Sequence, residues 1–226
     1  MYIKSTNSTN SLMKEMLAKG EWPEGERFVY TGYQSAGRGQ TGNSWESEAD
    51  KNLLCSILLP PDKNLHYLNI AVGVAILRVI GEEFTIKWPN DIYYGDKKVA
   101  GILVENAILG NEVKYSIAGI GLNVNQTIFV SDAPNPISLK QITGKEYDID
   151  ALMQKVYDQV QETLKEDVWQ EYKAHLYRRE GFWKFEDQNG FFEARIEDVL
   201  PTGEIVLCDR NGQKRPYGFK QIKYIL

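Results

Sequence analysis

The sequence predicts an α+β fold in two parts, residues 1–180 and a small β module at 181–226. Three observations carry this. Strand-length apolar runs bounded by Gly, Asn, Asp and Pro recur between residues 27 and 124. Two longer stretches, 65–80 and 149–177, place apolar residues at helical spacing. After Gly181 only short strands remain, punctuated by Asn189-Gly190, Thr202-Gly203 and Asn211-Gly212.

Ser8-Thr9-Asn10 precedes Leu12, Met13, Met16 and Leu17, a capping residue followed by a helical apolar face. The triplet also occurs as Ser5-Thr6-Asn7; the second copy is the expected cap, because the apolar periodicity starts just after it. A strand at 27–31 leads into a glycine-rich loop, and a second strand at 52–59 stops at Pro60-Pro61. Residues 65–80, with Leu68, Val72, Ala75, Ile76 and Val79, read as a buried helix. Short strands at 84–88 and 92–94 lead through Gly95-Asp96 into a hairpin with 98–109, and Gly110-Asn111 turns the chain into 112–124. Residues 126–136, with Ser131, Asp132, Pro134, Asn135 and Pro136, read as a loop. In 149–177, Leu152, Val156, Val160, Leu164, Val168, Tyr172 and Leu176 recur at every fourth residue. That step drifts around a helix, so either the stripe spirals or the helix breaks near Lys165-Glu166-Asp167. Strands at 191–200, 204–208 and 214–219 form the β module, read as a small barrel.

Composition excludes several function classes. The 226 residues carry a formal net charge of −5, with ordinary apolar and charged content, and no basic cluster beyond the pair Arg178-Arg179. Nucleic-acid binding through the phosphate backbone needs clustered positive charge, so no nucleic-acid partner is expected. No apolar run approaches the ~20 residues needed to span a bilayer, and no signal segment opens the chain. Cys55 and Cys208 lie in apolar runs and read as buried hydrophobes; no Cys/His spacing suits zinc, and no metal ligand is expected from the protein. A reducing cytoplasm is the expected location. His66 and His175 read as surface or satisfied core residues rather than catalysts.

Four strings carry candidate chemistry. Gly37-Arg38-Gly39-Gln40-Thr41-Gly42-Asn43-Ser44-Trp45 is a glycine-rich loop with one Arg. Its glycines permit close backbone approach to a ligand, and a guanidinium holds a carboxylate or phosphate bidentately. Gln34 just upstream offers both donor and acceptor, which suits a urea-like or amide-like group. Lys87-Trp88-Pro89-Asn90-Asp91 places polar side chains where Pro89 ends a strand. Lys98 opens the apolar string Val99-Ala100-Gly101-Ile102-Leu103-Val104-Glu105, with Gly101 removing bulk beside it. Gly119-Ile120-Gly121-Leu122-Asn123-Val124-Asn125 adds glycines within a strand and two Asn after it. Taken singly, each string is also an ordinary turn, bulge or solvated charge. In this order they point to a small acid activated by a nucleotide.

With Ser8-Thr9-Asn10 and Gln34-Ser35-Ala36-Gly37-Arg38-Gly39, these strings make the chain similar to the biotin protein ligases, in their short, single-function bacterial form. The resemblance covers nearly the whole chain. It implies a mixed β-sheet with helices on one face, related to the class II aminoacyl-tRNA synthetases, followed by an SH3-like barrel. It implies that biotin and ATP give biotinyl-AMP and pyrophosphate, with Mg²⁺ accompanying ATP, and that biotin then passes to a lysine of a biotin carboxyl carrier domain. Biotin contacts are implied for Ser8, Thr9, Asn10, Gln34, Gly37, Arg38, Gly39, Gln40, Lys98 and Gly101. Nucleotide contacts are implied for Arg38, Trp45, Asn90, Asp91, Lys98 and Asn123, with Lys98 and Arg38 as the catalytic cations at the reacting phosphorus. Trp45 would either pack over the ligand or anchor the loop.

Many family members carry Arg at the position of Gln40 and a basic residue at that of Asn43, which implies weaker retention of the adenylate here. The first motif begins at residue 8, so no preceding helix-turn-helix and no repressor role is expected. Dimers sharing sheet edges occur in the family, so a homodimer is one expectation. Two rival readings stand beside this one: a lipoate or octanoate ligase or transferase of the same fold, and a non-catalytic biotin-binding module. A loop spanning 37–47 is expected to order over the ligand and shield a hydrolysable mixed anhydride from water.

Overall fold

The computed structural model describes residues 1–40, 42–61, 64–110, 112–130 and 135–225. The elements of the larger unit run β1 (Tyr2–Thr6), α1 (Thr9–Lys19), β2 (Phe28–Gln34), β3 (Leu53–Leu59), α2 (Leu65–Ile80), β4 (Thr85–Lys87), β5 (Asp91–Tyr94), β6 (Lys97–Leu109), β7 (Glu112–Leu122), α3 (Leu139–Thr143), α4 (Ile149–Thr163) and α5 (Trp169–Ala174). The smaller unit comprises β8 (Trp183–Asp187), β9 (Gly190–Val199), β10 (Ile205–Asp209), β11 (Lys214–Tyr217) and β12 (Lys223–Tyr224).

Seven strands form a mixed sheet in the order β1-β2-β3-β7-β6-β5-β4. β1 and β2 run parallel; the remaining pairs are antiparallel. The second sheet is antiparallel in the order β11-β10-β9-β8-β12, with β12 returning to pair with β8. The α+β architecture with a β module is thus as expected.

Strand alternation sends the two faces of the large sheet to different partners. Leu53, Cys55, Ile57 and Leu59 of β3 join Ala100, Ile102, Ala118, Ile120 and Leu122 in a core completed by α2 and α4. Fully burying one such aliphatic side chain contributes about 1.5–3 kcal/mol, so this face dominates stability. Leu58, Val29 and Ile117 pack instead with Leu12, Met13 and Leu17 of α1. The expectation of helices on one face therefore holds for α2 and α4, whereas α1 lies on the other face and leaves the centre of the sheet open.

Ser8 caps α1, its hydroxyl accepting from Ser11 N, so the second Ser-Thr-Asn copy is the cap. The 149–177 stripe is resolved by a break: α4 ends at Thr163 and α5 starts at Trp169, and Leu152, Val156, Val160, Val168, Tyr172 and Leu176 are buried across both. β2 runs to Gln34, beyond the expected residue 31. β1, α3, β8 and β12 are additional elements. β1 is an edge strand with a weak apolar pattern, and α3 is a five-residue helix held by a Ser138–Gln141 capping box. Of the expected loop 126–136 and the turn at 110–111, residues 131–134 and Asn111 lie outside the described residues.

Candidate active site

A cleft of about 530 Å³ opens on the α1 side of the large sheet and is closed by the end of the small one. Its floor is glycine. Gly101 and Gly121 pair across β6 and β7, and Gly119 lies two residues back. A Cβ on Gly121 would lie 2.4 Å from Cε2 of Trp45, and one on Gly119 would lie 2.6 Å from Oδ1 of Asn10. These positions are glycine because Trp45 and Asn10 press against the backbone there.

One end of the cleft is a network of amides and hydroxyls. Gln34 Oε1 accepts from Thr9 N at 2.8 Å and from Thr9 Oγ1 at 3.1 Å. Ser56 Oγ lies 2.7 Å from Thr9 Oγ1 and 2.5 Å from Asn10 Oδ1. Asn10 Nδ2 donates to Glu105 Oε2 at 2.8 Å and to Leu103 O at 3.3 Å. The extension of β2 to Gln34 and the start of α1 at Thr9 bring these groups together.

The glycine loop folds back on itself. Trp45 N donates to Gly37 O at 3.0 Å, Gly39 N to Asn43 O at 2.9 Å, and Asn43 N to Gln40 O at 2.9 Å. Any Cβ at Gly37 would strike Trp45 O at 2.2 Å. Trp45 lies over the Gly101–Gly121 floor, and its buried Nε1 has no hydrogen-bond partner among the described residues. Thr41 of this loop lies outside the described residues.

Arg38 and Lys98, two of the cationic residues on the lining, each sit on a carboxylate of the site. Arg38 Nη2 binds Glu105 Oε2 at 2.8 Å, and Lys98 Nζ binds Asp91 Oδ1 at 2.7 Å. Asp91 is registered opposite Gly101, four residues along β6 from Glu105, so the two carboxylates start about 13 Å apart. Arg38 and Lys98 thus line one cleft without meeting at one point. Lys98 also sits 5.6 Å from the Trp45 ring centroid.

A bulge aims Lys98. On β6, Gly101, Leu103 and Glu105 face the site while Ala100 and Ile102 face the core. Strict alternation would turn Lys98 to the core side. The register shifts between Ile92 and Tyr93, with Ala100 paired to Ile92 and Lys98 to Tyr93, so Val99 is the extra residue. The bulge puts Val99 in the core and Lys98 Nζ 3.3 Å from the Cβ position of Gly101.

The Asn side chains secure this geometry. Asn90 Nδ2 donates to Ile102 O at 2.5 Å, and Asn123 Nδ2 to Ile137 O at 3.3 Å and Lys98 O at 3.5 Å. A second cleft of about 590 Å³ adjoins the first, sharing Trp45, Lys87, Asp91 and Lys98 and adding Asn123, Phe129 and Val130. Lys87 donates to Tyr93 Oη at 3.0 Å; burial pushes its pKa down, Asp91 pulls it up, and Lys98 and Arg178 push it further down.

Of the expected site residues, Ser8, Thr9, Asn10, Gln34, Arg38, Gly39, Gln40, Trp45, Asn90, Asp91, Lys98 and Gly101 line the first cleft, and Asn123 lines the second. Gly37 lines neither and acts through the loop's backbone. His66 and His175 lie outside both clefts. Ser56, Glu105 and Lys87 escaped assignment. Ser56 is the one polar residue in the apolar run 53–59, and that anomaly was its only signal.

The model of the Biotin/lipoate A/B protein ligase family matches residues 2–123. The bifunctional ligase/repressor BirA of Bacillus spizizenii is 34% identical over 168 residues, covering 69% of this chain and 50% of that protein. The biotin–[acetyl-CoA-carboxylase] ligase of Mycobacterium tuberculosis is 30% identical over 135 residues, covering 55% and 48%. The chain spans about half the length of these relatives. Among solved structures, a biotin protein ligase from Aquifex aeolicus in complex with biotin and ATP superposes with a TM-score of 0.80 at 25% identity, covering 100% of this chain and 98% of that one.

Proposed function

Because the chain belongs to the Biotin/lipoate A/B protein ligase family, we propose that it activates biotin with ATP and transfers the biotinyl group to a lysine of a biotin carboxyl carrier domain. The observation that carries this reading is the division of one cleft into an amide-and-hydroxyl end and a cationic end. Thr9, Asn10, Gln34 and Ser56 offer both donors and acceptors, which a ureido ring matches and a lipoyl or octanoyl tail does not. Arg38 and Lys98 supply charge toward the other end.

In the first step a biotin carboxylate oxygen attacks the α-phosphorus of ATP; an O–P bond forms and the bond to pyrophosphate breaks. Lys98, beside Asp91 on the glycine floor, is placed to neutralise charge at that phosphorus. Arg38 joins by exchanging Glu105 for the substrate anion. In the second step the acceptor amine attacks the acyl carbon, an amide forms, AMP leaves, and the amine's proton passes to solvent. Magnesium accompanying ATP would neutralise phosphate charge.

No helix among the described residues is long and apolar enough to cross a membrane, and Cys55 and Cys208 are buried free thiols. The free thiols suit a reducing cytoplasm, the location this reading proposes. The reading is tested by incubating the chain with ATP, Mg²⁺, biotin and a carrier domain, followed by a streptavidin blot. ATP-dependent labelling of the carrier lysine is expected. Transfer of lipoate or octanoate in place of biotin would move the chain to the other branch of the family, and ATP-independent retention of biotin would make it a binding module.

A further inference from the structure

We infer that Tyr224, on the last strand of the small sheet, is a positioning residue for the activation step: with Tyr93 it holds the Lys87 ammonium at the wall shared by the two clefts, where that ammonium meets the triphosphate. This inference rests on the reading that the chain uses ATP.

Lys87 is on the lining of both clefts. Its Nζ lies 4.8 Å from the Tyr93 ring centroid and 5.2 Å from that of Tyr224. The Tyr224 ring is itself fixed, 5.1 Å from Phe185 and 5.9 Å from Tyr177, and Tyr177 lies 5.1 Å from Tyr93. Tyr224 Oη is buried and has no hydrogen-bond partner among the described residues. The ring rather than the hydroxyl is therefore what acts on Lys87.

The local charge calls for an anion. Among the described residues Lys87 makes no salt bridge, and Asp91, the carboxylate facing it, is taken by Lys98. Two ammonium groups thus share one carboxylate at a half-buried wall. Burial and the neighbouring cations hold the Lys87 pKa below its ordinary value, a penalty that an arriving polyphosphate would relieve. An ammonium on a flexible four-carbon stem is a poor binder unless its position is fixed, and two aromatic faces fix it at little entropic cost. The small sheet thereby contributes to the chemistry of the large one through β12.

The test is calorimetric titration of ATP and, separately, of biotin into the wild-type chain and three variants, with thermal unfolding as a check on folding. Tyr224→Leu and Lys87→Met are each expected to weaken ATP binding by about 3- to 30-fold, the range of a partly desolvated cation–π contact, while biotin affinity holds. Tyr224→Phe, which keeps the ring, is expected to restore most of the loss seen with Leu. Lys87→Met gives its answer without a substitution in the small sheet. Unchanged ATP affinity in Tyr224→Leu, a Phe variant as weak as Leu, or parallel loss of ATP and biotin affinity would each overturn the inference. A wild-type chain that binds ATP but ignores biotin would overturn the functional reading instead, and the ATP titrations would still decide the role of Tyr224.

Discussion

Lys98 reaches the cleft because Val99 is an inserted residue in β6. Replacing it removes a charge without opening the core, because its side chain is partly exposed and paired with Asp91. Lys98→Ala is expected to fold normally and to lose about 10²–10³ in biotin-dependent ATP–pyrophosphate exchange, the usual effect of deleting one preorganised donor. Exchange at the wild-type rate would remove Lys98 from the mechanism. The glycine floor makes a second prediction. Gly121→Val adds a branched side chain where even a Cβ meets Trp45 at 2.4 Å, so the indole must leave its seat. A changed tryptophan emission together with a raised KM for ATP is expected; unchanged emission would show that the floor tolerates bulk. At this scale the sequence exposes cations, glycines and Gln34, because their side-chain chemistry is legible without coordinates. Ser56 and Glu105 are illegible, because their roles arise from cross-strand register that places them against Thr9, Asn10 and Arg38.

Between elements, α2 is tied to the segment after α4 by Arg78. Its guanidinium binds Glu171 at 2.9 and 2.6 Å and Glu166 at 2.8 Å. The hydrogen bond from Arg78 holds the Glu171 carboxyl below its ordinary value. A carboxylate lowered by folding stabilises the folded state above its unfolded pKa, and that contribution is lost as pH falls through the folded value. Arg78→Ala should therefore cost about 1 kcal/mol at neutral pH in denaturant titration, the upper end for an exposed network, and the difference should shrink in acid. A pH-independent difference would mean that Arg78 acts by packing alone. The glycine loop gives a further prediction: the amides of Gly39, Asn43 and Trp45, which donate within the loop, should exchange more slowly once biotin and ATP are both added. The four-residue stripe left two outcomes open, a spiralling apolar face or a break near Lys165-Glu166-Asp167, and the structure takes the break, between α4 and α5. Edge strand β1 and two-residue β12 left no pattern, because too few of their side chains are buried for periodicity to register.

As a whole, the molecule has a core that runs without interruption from α2 and the large sheet to Phe185, Ile196, Ile205 and Leu207 of the small one. Trp88 Nε1 donates to Gly203 O at 3.0 Å across the same junction. Calorimetry should show one cooperative transition for both sheets; two separated transitions would indicate independent units. The change in composition after Gly181 located the small sheet, but its packing against the cleft was not readable, since it depends on contacts between residues more than a hundred positions apart. The most direct test of the account is ATP–pyrophosphate exchange measured with biotin, lipoate or octanoate as the acid. Exchange that requires biotin is predicted; exchange supported by lipoate or octanoate but not biotin would contradict it.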